Sequence, residues 1–157
     1  MEQLNTMGKN TLQWEEHIKH FLVLVFMLEL SQNLKEILLI GLGGFLGAVT
    51  RYILSNTIPV VFEMPLGTFG VNIIGSFIMG FFLYSPLNEI YPHYRLLIVT
   101  GFCGALSTFS TFSYENLFLL EKGFIGKMVL NILLNVVGCI LAVYLGKSLS
   151  ISLFREV

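Results

Sequence analysis

Three stretches of this chain run without a charged residue for long enough to cross a bilayer, and they limit its fold more than any other feature. Met64–Asn88 (25 residues) lies between Glu63 and Glu89, Leu96–Tyr114 (19) between Arg95 and Glu115, and Met128–Gly146 (19) between Lys127 and Lys147. A helix needs about 20 apolar residues to cross the hydrocarbon core. A fourth stretch, Ile37–Asn56, carries only Arg51, in its last third. An arginine near a helix end either snorkels to the interface or faces a water-filled vestibule. Gly41, Gly43, Gly44 and Gly47 make this helix a close packer, which favours the vestibule. Charged residues are 12% of the chain, against about 25% in soluble domains. The pattern predicts an all-α membrane protein with four transmembrane helices. It holds one four-helix membrane domain over 36–150, an N-terminal extension over 1–35 and a tail over 151–157.

The connections are short. Pro59 and Pro65 punctuate the first, Pro86 and Pro92 the second, and Lys122-Gly123 the third. The extension carries Glu15, Glu16, His17, Lys19 and His20, then eight apolar residues, Phe21–Leu28. Eight are too few to span, and neither a basic start nor a small-residue cleavage site marks a signal peptide. An interfacial helix, a disordered segment and a misassigned start with Met27 as the true one all account for it. His17 and His20 read as a solvated face and not as a metal site. Cys103 and Cys139 sit in apolar stretches without CxxC spacing and read as small buried residues.

Positive charge barely orients the chain. With residues 1–33 set aside, Lys35, Arg95, Lys147 and Arg155 fall on one side, and Arg51, Lys122 and Lys127 on the other. Loop lysines and arginines set orientation, so four against three either hides a true bias behind the placement of the span ends or suits a protein that inserts both ways and pairs antiparallel. The formal net charge of −1 offers no basic surface for nucleic acid.

The third span concentrates the chemistry. Ser107–Ser113 reads Ser-Thr-Phe-Ser-Thr-Phe-Ser, five hydroxyls and two rings. An unsatisfied hydroxyl in an apolar medium costs about 1–3 kcal/mol, so these groups should bond back to the helix or face protein or water. A period of three puts Phe109 and Phe112 in one row, Ser107, Ser110 and Ser113 in a second, and Thr108 and Thr111 in a third. Ring edges carry partial positive charge and touch an anion without a formal cation. Gly101, Gly104 and Ser107, three apart, suggest an unwound stretch with free carbonyls, a natural cation site flanked by half-helix ends. Thr68 and Asn72 on the second span, and Asn131 and Asn135 on the fourth, are each four apart. Intramembrane asparagines serve as interhelical glue or as uncharged donors along a polar path. Glu115 closes the third span, either capping charge at a pore mouth or marking the interface. No carboxylate lies mid-span, and no nucleophile–base pair, phosphate loop or HExxH occurs, which argues against an enzyme.

Three motifs carry a resemblance: Gly-Gly-Phe-Leu-Gly-Ala-x-x-Arg-Tyr (43–52), Pro-Leu-Gly-Thr-x-x-x-Asn-x-x-Gly (65–75) and Gly-x-x-Gly-Ala-Leu-Ser-Thr-Phe-Ser-Thr-Phe-Ser (101–113). In order, over about residues 36–150, the chain resembles the Fluc family of bacterial fluoride channels. The resemblance implies a multi-pass protein of the bacterial plasma (inner) membrane. It implies an antiparallel, dual-topology homodimer whose third helix is broken at its middle, with passive fluoride export for fluoride resistance. It further implies a structural Na+ at the dimer centre, held by the backbone carbonyls of Gly104 and Ser107. The fluoride pathway then falls on Asn72, Phe109, Phe112, Ser110, Thr111 and Ser113, with Arg51 and Glu115 at vestibule or pore mouth and Thr68 and Asn135 as further candidates for pore lining. Ser107 stands where threonine is common in the family, and Asn131 where tyrosine is frequent.

Two other functions compete. A small multidrug-type proton antiporter would need a carboxylate in the first span, and residues 37–56 have none. A non-transporting membrane assembly subunit would use every polar residue as glue. Residues 1–33 lie outside the resemblance and are expected to be dispensable. A chain started at Met27 should retain fluoride efflux in liposomes; lost transport would show that the extension is needed.

Overall fold

The computed structural model describes residues 2–60 and 62–154, with side chains from Lys19 onward. The side chains of Glu15, Glu16 and His17, and all of Arg155, lie outside the described residues. The chain divides into two units, Met1–Ile37 and Leu38–Val157. The first is helical from Glu2, and every residue of its Phe21–Leu28 stretch is exposed.

The elements in order are α1 (Glu2–Thr57), α2 (Leu66–Leu83), α3 (Pro86–Ile90), α4 (Pro92–Arg95), a π-helical segment (Leu96–Cys103), α5 (Gly104–Leu106), α6 (Phe109–Glu121) and α7 (Ile125–Phe154). Four runs are long and apolar enough to cross a membrane: Lys19–Thr57, Leu66–Leu83, Pro92–Glu121 and Ile125–Phe154. Each contains or overlaps one of the four expected spans. The bounds differ because a charged residue ends an apolar stretch without ending a helix. Outward-facing side chains such as Phe45, Ile140 and Tyr144 are large, apolar and exposed. Lipid, not water, is the solvent that tolerates such flanks.

The punctuation behaves as its chemistry requires. Pro86 and Pro92 each open a short helix, where their missing N–H costs nothing. Gly123 takes φ +77° after α6. Its N–H bonds Leu120 O at 2.9 Å, and Phe124 N–H bonds Leu119 O at 2.9 Å, closing α6 in a glycine-dependent cap. Lys127 then ion-pairs with Glu63, joining the start of α7 to the loop before α2.

Close helix approach rests on glycine. A Cβ at Gly80 of α2 would meet the Val143 carbonyl of α7, and a Cβ at Gly146 of α7 would meet the Phe77 carbonyl of α2. Neither obstacle is a side chain that turns away. Lipid is as apolar as leucine, so close contact between small residues is a main source of helix affinity in a membrane. In the second unit, a Cβ at Gly101 would lie 2.7 Å from Ile40 O and 2.9 Å from Gly43 Cα.

The expected unwinding at Gly101 and Gly104 is corrected here. Both remain helical, with Gly101 in the π segment and Gly104 at φ −62°, ψ −32°. The break comes later, at Ser107 (φ −77°, ψ 152°) and Thr108 (φ −148°, ψ 119°). Gly101 serves close packing, not backbone freedom. Two of the three period-three rows are corrected too, because Ser107 and Thr108 precede α6 and share none of its faces; the row of Phe109 and Phe112 lies within α6, with the two rings 5.5 Å apart.

Candidate functional site

Local hydrogen bonds line the break. Thr108 is the N-cap of α6, and its Oγ1 accepts the Thr111 N–H at 3.2 Å. The same oxygen contacts Ser110 Oγ at 3.2 Å and donates to Thr111 Oγ1 at 3.1 Å. Ser107 Oγ donates to Cys103 O at 2.9 Å. Ser113 Oγ donates to Phe109 O at 2.8 Å, the back-bonding that satisfies a hydroxyl without a partner helix.

Asn72 of α2 staples the break from outside. Its Oδ1 accepts the Thr108 N–H at 2.7 Å, and its Nδ2 donates to Thr108 O at 3.4 Å and to Asn135 Oδ1 at 3.0 Å. Asn135 Nδ2 donates to Asn131 O and Oδ1, each at 3.0 Å. Asn131 Nδ2 donates to Asn116 Oδ1 at 3.1 Å, and Asn116 Nδ2 to Phe112 O at 2.7 Å. All four asparagines are buried. They form one chain; three of them, Asn72, Asn131 and Asn135, are those expected as interhelical glue or as donors along a polar path.

The staple has a consequence for two carbonyls. In an unbroken helix, Thr108 N–H would bond Gly104 O and Thr111 N–H would bond Ser107 O. Here both N–H groups go to side chains. The Gly104 and Ser107 carbonyls are therefore released by their own helix. Oxygen donors of this kind suit a hard cation.

Two cavities share Thr108 in their lining. One, about 260 Å³, is lined by Asn72, Ser76, Ser107, Thr108, Phe109, Phe112, Asn135, Val136 and Cys139. The other, about 230 Å³, is lined by Ala48, Arg51, Tyr52, Ser55, Thr68, Val71, Thr108 and Thr111. Arg51 therefore lies beside hydroxyls and close to the break. Phe109 and Phe112 stack obliquely, with ring centroids 5.5 Å apart at 48°. Their exposures differ sharply, 79% for Phe109 and 7% for Phe112. Thr68 Oγ1 donates to Glu115 Oε1 at 2.5 Å, while Glu115 Oε2 is buried without a partner.

Of the residues expected at the site, Asn72, Asn135, Ser107, Phe109 and Phe112 meet at the first cavity, and Arg51, Thr68 and Thr111 at the second. Ser110, Ser113, Gly104 and Glu115 line neither. Sequence reasoning missed Thr108, the hub of the break, and Asn116, the far end of the amide chain. Thr108 carried the signal of a cap residue before a helix; Asn116 carried only its position, one residue past Glu115.

Comparisons with known proteins agree with this architecture. The family described as "CrcB-like protein, Camphor Resistance (CrcB)" matches residues 38–147. The "Fluoride-specific ion channel FluC" of Methanocaldococcus jannaschii is 55% identical over 123 residues, covering 78% of this chain and 99% of that one. The protein of the same name from Methanococcus aeolicus is 54% identical, with 78% and 100% covered. That from Shewanella pealeana is 44% identical over 124 residues, with 77% and 100% covered. With four membrane-length helices, a broken third one and relatives this similar over nearly their whole length, the chain belongs to the CrcB family, which includes the fluoride-specific ion channels FluC.

Proposed function

We propose that this protein is a fluoride-specific ion channel, a transporter and not an enzyme, which lets fluoride leave the cell passively for fluoride resistance. Similarity to fluoride channels supports the ion. The lining of the 260 Å³ cavity carries the mechanism: an amide pair, hydroxyls and aromatic rings, with no carboxylate. Fluoride is small and strongly hydrated, so its path must replace water with donors. Neutral donors and ring edges do this weakly enough to let the ion move on. Arg51, with no carboxylate pairing it among the described residues, raises the local anion concentration at the second cavity.

The pathway runs past Asn72, Phe109, Phe112 and Thr111, with Ser110 and Ser113 on the same helix and Arg51 and Glu115 towards its mouth. Asn135 lines it beside Asn72, and Thr68 lines it beside Arg51. The channel is an antiparallel dual-topology homodimer. The nearly balanced loop charges and the exposed Phe109 support this reading. Two carbonyls from one chain do not make a cation shell, whereas a two-fold axis doubles them. Na+ held at the dimer centre by Gly104 O and Ser107 O fits the two released carbonyls. Its role there is structural, pinning the break. The protein is multi-pass in the plasma membrane; its relatives are archaeal and bacterial.

The test is ion flux from proteoliposomes, comparing fluoride with chloride and with no proton gradient. Fluoride should leave and chloride should be retained. Drug-dependent proton exchange would support an antiporter, and no flux from an intact assembly would sink both transport readings. Asn72→Ala, which removes the staple and the cavity-facing amide, should reduce fluoride efflux by about tenfold, the equivalent of one well-placed hydrogen bond of about 1.4 kcal/mol.

A further inference from the structure

Most polar side chains along the 260 Å³ cavity have their hydrogens committed. Asn72 Nδ2 donates to Thr108 O and to Asn135 Oδ1. Asn135 Nδ2 donates twice to Asn131. Ser107 Oγ donates to Cys103 O, and Thr108 Oγ1 to Thr111 Oγ1. A hydroxyl has one hydrogen to give and an amide two, so these four side chains have none left for an ion. The fifth polar residue of the lining is Ser76. Its hydroxyl bonds nothing among the described residues. The Cys139 thiol, also in the lining, is a weak donor.

That freedom is unusual for its place. Ser76 lies inside α2, one turn after Asn72, and residues four apart share a helix face. A serine or threonine hydroxyl inside a helix can satisfy itself on the carbonyl four residues earlier. Ser55, Thr57, Ser107 and Ser113 do so in this chain; Ser76 does not bond Asn72 O. Its side chain is half-buried and lines the cavity together with Phe109 and Phe112. Its neighbour Gly75 abuts the break, with Ser107 Cβ 3.4 Å from where a Gly75 Cβ would stand.

We infer that Ser76 contacts the ion in passage: its hydroxyl is the donor that a fluoride entering the cavity takes without breaking a bond of the fold. Every other side-chain hydroxyl or amide there must first let go of a protein acceptor. For Asn72 that acceptor is Asn135 Oδ1. A fluoride held by Ser76, one turn from Asn72 on the same face, is placed to compete for that amide. A single uncharged donor binds loosely, which suits an ion that must leave again. The inference rests on the proposed pathway past Asn72.

The experiment is fluoride current through reconstituted full-length channels, measured across a range of fluoride concentrations. Ser76→Ala should raise the half-saturating fluoride concentration by about tenfold, the lower end for a hydrogen bond to a charged partner. Its unfolding midpoint in detergent should not fall, because the hydroxyl bonds nothing in the fold and alanine favours helix over serine. Ser76→Thr restores a hydroxyl and should recover most of the shift. An unchanged half-saturating concentration in Ser76→Ala overturns the inference. So does an equal shift in Ser76→Thr, which would assign the effect to the shape of the cavity wall. A lowered midpoint in Ser76→Ala also overturns it, because the hydroxyl would then be a folding element. Asn72→Ala separates the two readings: normal current in that variant removes the pathway, whereas impaired current there with no shift in Ser76→Ala removes only the Ser76 contact.

Discussion

Phe112→Ile in the otherwise intact channel is expected to slow fluoride efflux from proteoliposomes by about tenfold while the protein still elutes as the wild-type assembly. Phe112 is buried, lines the 260 Å³ cavity beside Asn72 and lies against Phe109. Isoleucine keeps most of the apolar volume and the backbone carbonyl that Asn116 bonds. What it removes is the ring edge. An aromatic edge contact is worth about 0.5–1.5 kcal/mol, and its upper end is a factor of about ten in rate. Phe109→Ile should act in the same direction. Phe109 is so exposed in the single chain that its ring does little for the stability of that chain, so a flux defect there with normal stability would identify a ring used for ions. Normal efflux in both variants would take the aromatic row out of the pathway.

The second large effect is on stability. Gly80→Ala and Gly146→Ala should each lower the thermal unfolding midpoint in detergent, at a cost of about 1–3 kcal/mol, the usual range for overpacking. The new methyl group would meet a backbone carbonyl of the facing helix, Val143 in one case and Phe77 in the other. A helix backbone does not give way as a side chain does. Gly126→Ala is the control. Nothing lies within 4 Å of a Cβ there, and alanine favours helix over glycine by about 1 kcal/mol, so this variant should be neutral or stabilising. Equal midpoints for Gly80→Ala, Gly146→Ala and wild type would show that α2 and α7 are not held by the close approach described.

Much of this was legible beforehand, and particular residues show why. The four spans follow from charge spacing, because hydrocarbon excludes charge whatever the tertiary arrangement. Pro86, Pro92 and Gly123 mark connections through their own backbone chemistry. Ser107–Ser113 drew attention because five hydroxyls are costly against lipid. The details of that span were harder. A repeat of period three assumes one continuous helix, and Ser107 and Thr108 are extended. Glycines at 101 and 104 suggested flexibility, yet Gly101 is there for closeness to Ile40 and Gly43.

The sequence by itself determined that the chain has four stretches long and apolar enough to cross a membrane, where those stretches lie, and which of them carries the polar chemistry. These are local matters of transfer free energy, charge and backbone preference. Only the tertiary structure decided where the third span breaks, because the break exists through Asn72, which stands 36 residues away and takes both backbone groups of Thr108. Only the tertiary structure joined Asn72, Asn135, Asn131 and Asn116 into one directed chain. A buried amide must find a partner, but sequence spacing does not say which amide, on which helix, will be within reach.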